Sequence, residues 1–154
     1  MGRLKRRSTT SSVQHGAALL EALVAILIFS IGILAAVGMQ AAAIKNVTES
    51  KYRTEAAFLA NRLFGMMWTD AVNVSLYAYP GSGTVPAKVS GWVTEITNAL
   101  PSANTLPPIV TVTNPTAQGG TVTVQIRWQL PEEASKGLPA HNYTAIAAVY
   151  ANTP

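Results

Sequence analysis

From Gly16 to Ile44 the chain is an apolar run, and Glu21 is its only ionisable side chain. From Ala22 onward only Ser30 and Gln40 are polar. The run is long enough for a single helix to cross a hydrocarbon core, which takes roughly 20 residues. A carboxylate at the centre of such a helix costs roughly 2.5 to 3.5 kcal/mol on the insertion scale, and less near an end. A retained Glu21 therefore points to a role and to a cationic partner. An ordinary secretory signal shares the basic start, the apolar core and small residues near Ala41-Ala42-Ala43. Its apolar region, however, is usually about 7 to 15 residues and seldom opens on an acid. A glutamate that merely snorkels at the interface is the other plain reading.

Charge sorts the chain further. Of the formal +4, Arg3, Lys5, Arg6 and Arg7 all precede Gly16, and the remaining 7 basic and 7 acidic residues cancel. Basic residues ahead of an apolar span keep that end in the cytoplasm, so the rest of the chain is expected on the far side of the membrane. The Ser8-Thr9-Thr10-Ser11-Ser12 tract and the span behind it favour targeting over a nucleic-acid-binding arm, and no direct nucleic-acid partner is expected. With no cysteine, neither disulfides nor thiolate metal chemistry is available.

Gly16, Ala17 and Glu21, with Leu-Leu-Glu-Ala-Leu-Val-Ala-Ile from Leu19, resemble the class III signal of type IV prepilins. The resemblance covers the leader and the whole apolar segment. It implies that a membrane-embedded prepilin peptidase cuts after Gly16 on the cytoplasmic face and methylates the new amino terminus at Ala17. The span is then retained. Two features depart from the family: Ala17 and Ala18 stand where an aromatic or Met and a Thr or Ser are usual, and the leader is longer than the common short form. The resemblance also implies an α+β fold of lollipop form, a long N-terminal helix carrying a small antiparallel sheet. Residues 1–16 would be the removed leader, 17–44 the transmembrane and filament-core helix, 45–70 its amphipathic continuation and 71–154 a periplasmic α+β head. Glu21 would pair with the amine at Ala17 of a neighbouring subunit and so set register.

Beyond the span, helical signals continue without a proline until Pro80. Lys45, Glu49 and Arg53 form an i, i+4, i+8 row and Lys51 with Glu55 a further i, i+4 pair. Then Ala56, Leu59, Ala60, Leu63, Phe64 and Met67 draw an apolar stripe that should lie against the head. A helix from Ala17 to about Thr69 would be ~80 Å long. Pro80-Gly81-Ser82-Gly83 reads as a loop. Gly91 to Leu100 reads as a short helix stopped by Pro101. Strands are expected near 109–113, 121–130 and 143–150, with Gln118-Gly119-Gly120 as the first turn. The middle strand alternates, Val122, Val124, Ile126, Trp128 and Leu130 on a face meant for the helical stripe.

Trp92, Ala99-Leu100-Pro101, the strand from Thr121 to Trp128 and the helix segment Ala56–Leu63 also resemble one branch of the family, the type IV pilus modification proteins (PilV-like minor pilins). What this branch implies is a minor pilin that helps initiate the pilus or forms its tip, with links to adhesion, twitching motility and DNA uptake. Its partners would be the prepilin peptidase, other minor pilins and the major pilin, the inner-membrane assembly platform and the lipid bilayer. It would sit in a bacterial inner membrane with its head in the periplasm, then in the extracellular pilus.

Catalysis finds no footing in the residues. His15 lies in the leader and His141 in a loop after Pro139, so no His pair sits at metal-binding spacing. Ser, His141 and Glu132 lack a Gly-x-Ser-x-Gly elbow. Glu132-Glu133 reads as a solvated loop, and the Asn-x-Ser/Thr triplets at Asn46, Asn73 and Asn142 carry no weight in a chain read as a bacterial export. No enzyme activity, cofactor or metal is expected. A minor pseudopilin of a type II secretion system and a single-pass anchored binding module remain open beside the pilin reading.

Overall fold

A computed structural model describes residues 14–151. Arg3, Lys5, Arg6, Arg7 and the tract 8–12 lie outside the described residues. Helix α1 covers Gln14–Trp68. Contacts divide the chain into two units, the first ending at Val47 and the second starting at Thr48.

In the first unit, every residue from Gly16 to Val47 is exposed, Phe29, Leu34 and Met39 among them. The helix is long and apolar enough to cross a membrane. The hydroxyl of Ser30 donates to the Ile26 carbonyl at 2.7 Å. This back-bond satisfies the one hydroxyl of the run without any outside partner.

The second unit has its own core. The stripe Ala56, Leu59, Ala60, Leu63, Phe64 and Met67 is buried, as its spacing predicts. It shares one apolar cluster with Val74 and Tyr77, with Val89, Trp92 and Ile96, and with Val122, Val124, Ile126 and Trp128. After α1 the chain tightens into a 3₁₀ helix, Ala71–Tyr77. Helix α2 follows at Ala87–Ala99, four residues earlier in its start than Gly91. The apolar residues fix its inward side, and the Trp92 indole N–H donates to the Leu59 carbonyl at 2.8 Å, pinning α2 to α1. Arg62 of α1 and Glu95 of α2 form an ion pair on the outside of the same junction.

Strands β1 (Ile109–Thr116), β2 (Gly119–Trp128) and β3 (His141–Tyr150) make an antiparallel sheet in the order β1-β2-β3. Val122, Val124, Ile126 and Trp128 are buried and Thr121, Thr123, Gln125 and Arg127 are half-buried on the other face. The expected strands are present, with shifted ends. β1 runs past Thr113 because the ladder slips between Thr113 and Thr116, where Asn114 takes a positive φ of 50° ahead of Pro115. Gly119 is not the turn but the first residue of β2. Its φ is 142°, and a Cβ there would meet the Val149 carbonyl oxygen at 2.0 Å, so the close approach of β3 requires glycine.

Three further readings are corrected. The stretch after Pro131 is a short helix, α3 (Pro131–Ser135), rather than a solvated loop, and Glu133 is buried. Proline pre-sets the first turn, and the Glu133 carboxylate accepts from the Leu130 N–H at 3.4 Å. Leu130 therefore precedes α3 instead of ending a strand. His141 opens β3 rather than lying in a loop, paired in register with Trp128.

Candidate functional site

Gly16, Ala17 and Glu21 lie on the first turns of α1, all three exposed. Ala17 and Glu21 are four residues apart and share one face of the helix. Gly16 has nothing within 4 Å of the place where a Cβ would stand. A glycine inside a helix costs roughly 1 kcal/mol relative to alanine, so neither packing nor helix propensity accounts for it. Gly32 and Gly38 are equally uncrowded. The structure therefore brings Glu21 to the same face as Ala17.

Two polar clusters in the second unit were not legible as sites in the sequence. In the first, Asp70 stands just after α1 and gathers three donors. Lys88 Nζ of α2 reaches Oδ2 at 2.5 Å, Asn73 Nδ2 reaches Oδ1 at 2.7 Å and the Tyr77 hydroxyl reaches Oδ2 at 3.0 Å. The Lys88 bond, then the Asn73 bond, hold the Asp70 carboxyl down from 3.8 to about 2. The same bond from Asp70 raises Lys88. Burial, then Asp70, raises the Tyr77 phenol. The cluster ties the end of α1, the 3₁₀ helix and α2 together, and both charged partners keep contact with solvent.

In the second cluster, His141 stands between two carboxylates. Its Nε2 lies 2.9 Å from Glu133 Oε2 and its Nδ1 lies 3.6 Å from Glu49 Oε1 of α1. The ring stacks on the buried Trp128, centroids 5.7 Å apart and planes 14° apart. A signal for the acid did exist, since Pro131 followed by Glu133 is the pattern of a proline-started, glutamate-closed first turn. Its proximity to Glu49, more than 80 residues earlier, has no local signature. Among the described residues no group of three or more His, Cys, Asp or Glu side chains could hold a metal ion.

No protein-family model matches the chain, and no curated protein and no solved structure matches it. The functional reading therefore rests on the residues and their geometry.

Proposed function

We propose that this chain is a membrane-anchored subunit of a helical filament of the type IV pilin class. Within that class we read it as a minor pilin that takes part in initiating the pilus or forming its tip, a structural role rather than a catalytic one. A peptidase cuts after Gly16, Ala17 becomes a methylated amino terminus, and the apolar part of α1 passes from the bilayer into the filament.

The observation that carries the reading is a lone acid on an exposed apolar helix, five residues beyond a glycine that the fold itself does not need. In a filament the Glu21 carboxylate would face the amine at Ala17 of the next subunit. Two unit charges about 4 Å apart attract by roughly 4 kcal/mol at an effective dielectric of about 20. That is comparable with the cost of burying the acid, so the pair sets alignment more than it adds stability.

Amino-terminal sequencing of the membrane-extracted protein tests this. The expected start is Ala17, carrying an added methyl group, and Gly16→Leu should leave the full leader attached while the protein still enters the membrane. A mature chain starting at Met1, or one cut near Ala43, would return it to an anchored or a secreted protein of another kind.

A further inference from the structure

Glu133 is the one charged side chain buried among the described residues, 6% exposed. Its hydrogen-bonded neighbour His141 has a second carboxylate, Glu49, at its other nitrogen. Stacking on Trp128 fixes the plane of the ring, so each nitrogen keeps its own carboxylate. Neutral imidazole has one N–H and one lone pair and donates to only one of the two acids, while its lone pair confronts the charge of the other. Imidazolium donates to Glu133 and meets Glu49 as an ion pair at 3.6 Å. Losing a partner costs a buried acid more than an exposed one, and the side chain of Glu49 is 39% exposed. The hydrogen bond belongs to Glu133, at 2.9 Å against 3.6 Å to Glu49.

We propose that His141 is a proton-operated clasp. Doubly protonated, it holds Glu49 of α1 and Glu133 of α3 together at the start of β3. Neutral, it keeps its Nε2–H on Glu133 and lets Glu49 go.

The charged and titratable groups around the ring are few. From α1 comes Glu49, with Arg53 one turn further along the helix. From α3 comes Glu133 with Glu132 beside it, and Tyr143 is next on the same face of β3. Strand β2 offers the Trp128 ring alone, because Arg127 lies on the opposite face, where its guanidinium donates to the Pro107 carbonyl at 2.9 Å. Release of Glu49 removes the tie on the opening turns of the second unit's share of α1, which then open more often. None of these residues belongs to the Gly16, Ala17 and Glu21 set, so the clasp stands or falls independently of the filament reading.

The test uses the full chain in detergent micelles. Nitrogen-15 NMR of the imidazoles reads the tautomer, and His15, the only other histidine, serves as an internal reference. The expected result is Nε2–H as the tautomer of the neutral His141 ring, with both nitrogens protonated in the charged form that a more acid sample contains. Amide exchange at Tyr52, Arg53 and Thr54, corrected for its intrinsic pH dependence, should be slower at the acid pH by roughly twofold to fivefold, the scale of a partly exposed ion pair. Glu49→Gln, a change at a half-exposed position, should remove that difference and leave the fold intact; His141→Gln should remove it as well. Neutral His141 carrying its proton on Nδ1, equal protection at both pH values, or an unchanged difference in Glu49→Gln would each overturn the clasp.

Discussion

Asp70 shows how much one side chain organises at the scale of residues. Three donors, one from α2 and two from the 3₁₀ helix, converge on it, and the carboxyl is held down to about 2 as a result. A depressed carboxyl stabilises the fold above its unfolded value and loses that contribution as pH falls through its folded value. Here the window runs from about 4 down to about 2. In an acid titration of the full chain in detergent, followed by near-ultraviolet circular dichroism, Asp70→Asn should begin less stable than wild type at pH 7. It should also lose less on acidification across that window. Acid limbs of equal steepness would show that the ionised Asp70 carboxyl contributes nothing to folding.

The elements were legible in the sequence to different degrees, for physical reasons that particular residues make plain. The Ala56–Met67 stripe and the alternation from Val122 to Trp128 announce themselves because a regular backbone period must match a one-sided core. The buried state of those residues follows. Ends were less readable: Gly119 looks like a turn residue, yet it is glycine because β3 passes too close for any side chain. Helix α3 is five residues long, too short to show a period. Its buried Glu133 meets His141 of β3, a partner that no local pattern supplies. In the candidate site, Gly16, Ala17 and Glu21 could be read because their spacing is local, whereas the His141 cluster required the tertiary fold. The packing of α1 against the sheet makes a direct prediction. Leu63→Ala should lower the unfolding free energy by roughly 2 to 5 kcal/mol, the range for a buried leucine truncated in a tight core, read by denaturant titration. A loss under about 1 kcal/mol, the scale of a volume-conserving core swap, would mean that this stripe does not pack as described.

At the scale of the whole molecule, the residues that build the core and the residues of the apolar stretch are separate sets. Every buried side chain among the described residues belongs to Ala56 or a later position, and everything from Gly16 to Val47 is exposed. A chain starting at Thr48 should therefore be monomeric in aqueous buffer, with a cooperative thermal transition and the near-ultraviolet signal of fixed Trp92 and Trp128. A non-cooperative melt would show that the core needs the preceding segment. The division has a consequence for how such a protein can change over generations. Substitutions along the greasy stretch touch none of the buried side chains, so under the filament proposal address and durability are free to evolve on separate schedules.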